Sequence, residues 1–144
     1  MTAGRTGATA RVERVLPATP DVVYARWVDA AALAEFIAPA PGTAQVAIDP
    51  RIGGHLRIVM TFPDFRTEIE GEYLVVEPPH RLSFTWRSLT GGYASVVTVT
   101  FERHGVGETL MTIVHSQLPS TVVDDYLGGW VRIQDQLAGV LSAR

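Results

Sequence analysis

Residues 120–141 read Ser-Thr-Val-Val-Asp-Asp-Tyr-Leu-Gly-Gly-Trp-Val-Arg-Ile-Gln-Asp-Gln-Leu-Ala-Gly-Val-Leu. Wound as an α-helix, Val122, Tyr126, Trp130, Ile133, Leu137, Val140 and Leu141 share one face, because they recur at three- and four-residue intervals. Asp124, Asp125, Gly128, Arg132, Asp135 and Gln136 fall mainly on the other side. Ser120, just after Pro119, is the expected N-cap, and Asp124 and Asp125 sit where negative charge suits the helix dipole. A face carrying a Tyr and a Trp one turn apart needs a broad apolar partner. The middle of the chain supplies it.

There the period changes from helical to two. Gln45 to Asp49 reads as a strand and Gly53-Gly54 as a turn. In His55 to Phe62, Leu56, Ile58, Met60 and Phe62 point one way, and His55, Arg57 and Thr61 the other. Pro63-Asp64 turns the chain into Thr67 to Val76, with Glu68, Glu70 and Glu72 opposite Ile69, Gly71 and Tyr73. Arg81 to Arg87 alternates throughout, with Leu82, Phe84 and Trp86 inward. After Gly91-Gly92, Val97, Val99 and Phe101 face in. Gly105 to Gly107 then closes a hairpin into a last strand with Met111, Ile113 and His115 on one side. Strands joined by short turns are antiparallel neighbours, and alternation means one buried face and one wet face. On the wet face Glu68, Glu70 and Glu72 are expected across from Arg57, Arg81 and Arg87.

Before this block, Arg11 to Leu16 reads as a strand stopped by Pro17. Thr19-Pro20-Asp21 begins a helix with Val23, Tyr24 and Trp27 on its apolar side. A second short helix covers about Ala30 to Phe36 and breaks at Pro39 and Pro41. The fold class is therefore α+β in a helix-grip arrangement: a curved antiparallel sheet of about seven strands around a long C-terminal helix, with two short helices after the first strand. Such a sheet leaves a gap wherever it and the helix do not mesh.

The 144 residues suit one domain with a real core, 47% being apolar and 19% charged. Residues 1–10 are expected to be a flexible tail without the apolar region of a signal peptide, and residues 11–144 a single domain. A net charge of −3 argues against a nucleic-acid partner. The lack of cysteine removes disulfides, thiolate metal sites and Cys nucleophiles together. No run approaches membrane-spanning length, so the expectation is a cytoplasmic protein without integral membrane contact.

Several short motifs are spread over almost the whole chain. They are Pro17-Ala18 with Val23-Tyr24-Ala25, then Asp49-Pro50-Arg51-Ile52-Gly53-Gly54-His55-Leu56-Arg57, and Gly71-Glu72-Tyr73. Glu77-Pro78-Pro79-His80-Arg81-Leu82-Ser83-Phe84-Thr85-Trp86 and Val97-Thr98-Val99-Thr100-Phe101 follow, then Glu108-Thr109-Leu110, His115-Ser116 and Gly129-Trp130. In this order and spacing they resemble the START-like (SRPBCC) superfamily, and within it the bacterial homologues of the activator of heat-shock-protein ATPase. The resemblance implies a cavity between sheet and C-terminal helix that holds small hydrophobic molecules. One departure concerns the shape of that cavity: the family usually has a Trp near the end of the second short helix, and here Phe36 stands nearest.

The residues expected at the helix–sheet gap are Phe36, Met60, Tyr73, Phe84, Trp86, Val99, Met111, Ile113, His115, Tyr126, Trp130 and Ile133. They either fill it as core, the usual fate of aromatic and Met side chains, or line a cavity. His115 reads first as a buried, hydrogen-bonded histidine and second as a ligand contact or general acid–base. Gly129 lies at the edge of the apolar face and allows close approach there, or marks a kink. His55, His80 and His104 sit at strand ends or turns without metal-ligand spacing, and no metal or other cofactor is expected. No GxSxG elbow and no glycine-rich phosphate loop is present.

Three functions follow. The first is binding of a small hydrophobic or aromatic molecule, lipid and polyketide-like compounds included. The second is an aromatase/cyclase-like or hydrolase-like enzyme using His115. The third, implied by the resemblance, is a co-chaperone domain with a chaperone partner, although the known activator carries an additional N-terminal domain. Pairing of sheet edges leaves a homodimer open.

Overall fold

The structure, a computed structural model, describes residues 7–143. Its elements are β1 (Ala8–Leu16), α1 (Pro20–Trp27), α2 (Ala30–Ala34), β2 (Thr43–Ile48), β3 (His55–Thr61), β4 (Arg66–Glu77), β5 (Arg81–Ser88), β6 (Tyr93–His104), β7 (Glu108–Leu118) and α3 (Val123–Ser142). All seven strands join one antiparallel sheet in the order β1-β7-β6-β5-β4-β3-β2. The curved sheet holds α3 in the helix-grip arrangement expected from the alternation and from the helix face.

The expected tail of residues 1–10 lies outside the described residues up to residue 6, and beyond them the strand starts early. Ala8 pairs with Leu118 and Ala10 with His115, so β7 extends far enough to satisfy backbone groups that carry no apolar pattern of their own. The start of α3 also differs from expectation. Val122 N–H donates to Pro119 C=O over 3.1 Å, closing a turn across Ser120, and Val122 rather than Ser120 is the N-cap.

Sheet alternation buries Leu56, Ile58, Ile69, Tyr73, Leu82, Phe84, Trp86, Val97, Val99, Phe101, Met111 and Ile113 on the inner face. At about 25 cal/mol per Å² of apolar surface, each large side chain contributes roughly 1.5–3 kcal/mol. One end of this core is plugged by α1 and α2. Tyr24 meets Phe101 edge-on at 5.3 Å between ring centres, and Trp27 meets Phe36 at 5.2 Å. Gly71 marks the tightest approach in the sheet: a Cβ there would lie 1.9 Å from the carbonyl oxygen of Thr85.

On the outer face Arg57 pairs with Glu68 at 2.8 Å and Arg87 with Glu70 at 3.1 Å. Arg81 pairs instead with Glu77 at 3.2 Å, because the β4–β5 register sets those two residues opposite one another. Exposed pairs of this kind are worth about 0.2–1 kcal/mol each.

The seating of α3 is uneven. Its buried residues are Trp130, Ile133, Gln134, Leu137, Ala138 and Leu141, while nothing before Trp130 is fully buried. Gln134 and Ala138 thus join the inner face, where Val140 was expected. Asp135 forms an ion pair with Arg14 across β1. The C-terminal half of the helix sits on the core, and its first two turns stand over a space.

Candidate functional site

That space is a cavity of about 320 Å³. Met60, Phe62, Phe65 and Ile69 of the β3–β4 hairpin form one wall, and Trp86 and Tyr93 of β5 and β6 another. The roof is α3, through Val122, Tyr126, Gly129, Trp130 and Ile133, and Pro39 of the loop after α2 closes one side. Thr67, Ser88, Thr90 and Asp125 are polar residues of the lining. A mostly apolar wall with a few convergent polar groups is the usual make-up of a small-molecule site, and the volume lies near the lower end of such sites.

Local sequence explains why the space is not filled. Gly129 presents no side chain to it, and a Cβ there would reach only ordinary contact with Pro39, 3.9 Å away. The helix continues through Gly128-Gly129 from Val123 to Ser142. The ring of Phe62 lies over Gly42, where a Cβ would come within 2.4 Å of it, and stacks on Phe65 with ring centres 4.6 Å apart. Opposite, Gln136 ties the loop after α2 to α3. Its Nε2 donates to the carbonyls of Phe36 (3.1 Å) and Ala38 (2.9 Å), and its Oε1 accepts from Ala40 N–H (2.6 Å).

Of the residues expected at the gap, Met60, Trp86, Tyr126, Trp130 and Ile133 line this cavity. Phe36, Tyr73, Phe84, Val99, Met111, Ile113 and His115 are buried and are not on its wall. Phe36 packs against Trp27, and Tyr73 against Phe84 at 5.8 Å. Phe65, Thr67, Ser88, Thr90, Tyr93, Asp125 and Pro39 belong to the wall without having been singled out. Tyr93 was within reach of the sequence, since it has the same strand parity as Val97, Val99 and Phe101. Thr67 and Ser88 likewise share the parity of Ile69 on β4 and of Trp86 on β5, whereas Phe65, Thr90, Asp125 and Pro39 sit at turns, in a loop and at a helix start, where period-two reading stops.

His115 lies one layer behind the wall, with its ring centre 4.5 Å from that of Tyr126. Both ring nitrogens are engaged. Trp130 Nε1–H donates to Nδ1 over 3.0 Å, and since an indole can only donate, Nδ1 must be the unprotonated nitrogen. The proton therefore sits on Nε2, which donates to Ser95 Oγ at 2.7 Å, and Ser95 donates on to the Trp86 carbonyl at 3.0 Å. Burial disfavours the imidazolium and holds the pKa down to about 3. This arrangement is the buried, hydrogen-bonded histidine of the first reading.

A second run of bonds crosses the wall itself. Trp86 Nε1–H donates to Tyr126 Oη over 3.0 Å, and the hydroxyls of Tyr126 and Tyr93 share a bond of 2.6 Å. Desolvation, then the contact with Tyr93, pushes the Tyr126 phenol well above its ordinary range, so it stays protonated. Among the described residues no three His, Asp or Glu side chains come together in a way that could hold a metal ion. No helix among them is long and apolar enough to cross a membrane.

The family model described as "Activator of Hsp90 ATPase homolog 1-like protein" matches residues 17–142. Among solved structures, a protein from Chromobacterium violaceum is 29% identical, with a TM-score of 0.84 over 92% of this chain and 96% of its own. A protein from Silicibacter pomeroyi, described as AHSA1, is 26% identical, with a TM-score of 0.84 over 94% of this chain and 99% of its own. A solution structure from Arthrobacter aurescens superimposes at a TM-score of 0.85 over 94% of this chain and 87% of its own; at 21% identity it speaks for the fold alone. No curated protein matches the chain.

Proposed function

The chain belongs to the Activator of Hsp90 ATPase homolog 1-like family, and on that premise we propose that it binds a small, largely apolar aromatic molecule beneath the first turns of α3. The observation that carries this reading is the cavity of about 320 Å³, walled by Trp86, Trp130, Tyr126, Met60 and Phe62. Apolar surface removed from water supplies the affinity, and the hydroxyls on the wall supply orientation. The family name provides the ground for a chaperone partner, whereas the cavity is a feature of this chain, and the cavity is the stronger ground. His115, on which an enzymatic reading rests, is off the wall with both ring nitrogens occupied. Binding without turnover is therefore preferred.

The test is a panel of two- and three-ring aromatics, polyketide-like compounds and fatty acids, read by melting temperature and by Trp fluorescence. A ligand of the native state raises stability by an amount that grows with its concentration. Trp86 and Trp130 lie on the wall and report occupancy directly. A panel that moves neither signal would remove the proposal.

A further inference from the structure

The polar groups on the cavity wall keep hydrogen-bond donors uncommitted. Tyr126 Oη already accepts from Trp86 Nε1–H at 3.0 Å. The bond of 2.6 Å between Tyr126 and Tyr93 uses one of the two phenolic hydrogens, whichever residue donates. One phenolic hydrogen is left over in either arrangement. If Tyr126 donates to Tyr93, the spare hydrogen is on Tyr93; if Tyr93 donates, it is on Tyr126. Neighbouring hydroxyls keep a hydrogen as well. Ser88 Oγ accepts from Gly91 N–H at 2.9 Å and Thr90 Oγ1 from Glu68 N–H at 3.4 Å, and each keeps its hydrogen to donate.

Charge on the wall adds a second constraint. Asp125, which is exposed, is the one charged residue of the lining, and no Lys or Arg joins it. An anionic guest would enter an apolar space with no cation to receive it, which is costly.

From these two observations we infer that the Tyr93–Tyr126 pair is a hydrogen-bond donor subsite, and that the ligand is an uncharged aromatic carrying an acceptor oxygen, such as an aryl ketone or quinone. This rests on the reading of the cavity as a ligand site and specifies which ligands it takes.

Three naphthalenes of matched size test it: 2-acetylnaphthalene, 2-isopropylnaphthalene and 2-naphthoate. Affinities are measured on the wild type and on the Tyr93→Phe/Tyr126→Phe double variant. Comparing the acetyl-to-isopropyl affinity ratio between the two proteins cancels the different solubilities of the ligands. The expected result is a ratio about tenfold higher in the wild type, the worth of one hydrogen bond, with 2-naphthoate weaker than the ketone. On the wild type alone, the carbonyl stretching band of bound 2-acetylnaphthalene should move to lower frequency, which covers the case of a double variant that does not fold. Equal ratios, an unshifted carbonyl band, or tightest binding by 2-naphthoate would overturn the donor subsite while leaving the cavity reading in place. Failure of all three ligands to bind would overturn both.

Discussion

The indole N–H of Trp130 on α3 donates to Nδ1 of His115 on β7, and this single bond settles the tautomer of a fully buried imidazole. It also joins helix to sheet directly behind the cavity wall. With Ser95 and the Trp86 carbonyl completing the run, the second turn of α3 is held at a fixed height above β5, β6 and β7. A space can persist under the start of a helix only if something holds that helix off the sheet. In this molecule a satisfied polar chain between Trp130 and Trp86, whose rings lie 5.5 Å apart, does so.

Because the folded pKa of His115 is depressed to about 3 from 6.5, its contribution to stability is present above pH 6.5 and is lost as pH falls toward 3. In that window the unfolded chain binds one more proton than the folded one, and stability drops by about 1.4 kcal/mol per pH unit from this group. A His115→Gln variant lacks the titration, so its stability should fall less steeply between pH 6.5 and 4. Denaturant midpoints across that range provide the measurement. Parallel curves for the two proteins, or a titration near 6.5 of the imidazole NMR signal that disappears in His115→Gln, would contradict the assignment.

Much of this fold was legible in the sequence because one face of each strand is buried, and burial writes itself as alternation. Leu82, Phe84 and Trp86 are an example, all inward as their spacing requires. The helix was legible for the same reason, but its partner residues were not. Gln136 reads as a solvent-side residue from its position on the helix, yet its amide spans a loop that no periodicity describes. The site was half legible. Trp86, Tyr126 and Trp130 came from inner-face spacing, whereas Phe65 and Thr90 depend on how two hairpin tips bend over the helix start. Composition cannot distinguish a core aromatic such as Phe84 from a wall aromatic such as Trp86, because both face inward on one strand.

Gly128 and Gly129 are adjacent but have different surroundings, which separates helix stability from cavity volume. A Cβ at Gly128, which is exposed, meets nothing within 4 Å, whereas one at Gly129 points to the cavity and meets Pro39 at 3.9 Å. Each Gly→Ala change should stabilise the helix by about 1 kcal/mol. Only Gly129→Ala places a methyl group in the cavity, so under the proposed function only it should weaken binding of a two-ring aromatic. Melting temperatures and binding titrations on the two variants check this. Equal binding by both would mean the roof near Gly129 does not touch the ligand.

Phe65 is 59% exposed and stacks on Phe62 at the rim of the cavity. Its removal takes little from the core, so Phe65→Ala should change stability by no more than about 0.5–1 kcal/mol. The rim becomes more open, and a bound aromatic should leave faster. Stopped-flow dissociation followed by Trp fluorescence reads the effect. An unchanged dissociation rate would place the exit elsewhere.

Gln136 offers the sharpest test of what holds the cavity open on the α2 side. Its amide makes bonds to Phe36, Ala38 and Ala40, so Gln136→Ala leaves two carbonyls and one N–H of that loop without this partner. Ala40 is exposed and water can replace its partner, but the carbonyls of Phe36 and Ala38 belong to buried residues; leaving buried polar groups unpaired costs about 1–3 kcal/mol, and a loss toward the lower end of that range in urea-unfolding stability is expected. Gln136→Glu keeps the acceptor for Ala40 but turns the other oxygen toward two carbonyls, so at neutral pH it should be no better than the alanine. Protonation of that carboxyl restores a donor. The folded state then favours the protonated form, its pKa is raised, and the lost stability returns as pH falls below that raised value. A Gln136→Glu variant as stable as the wild type at pH 7 would show that the loop is held by its packing on Trp27 and Phe36 rather than by this amide.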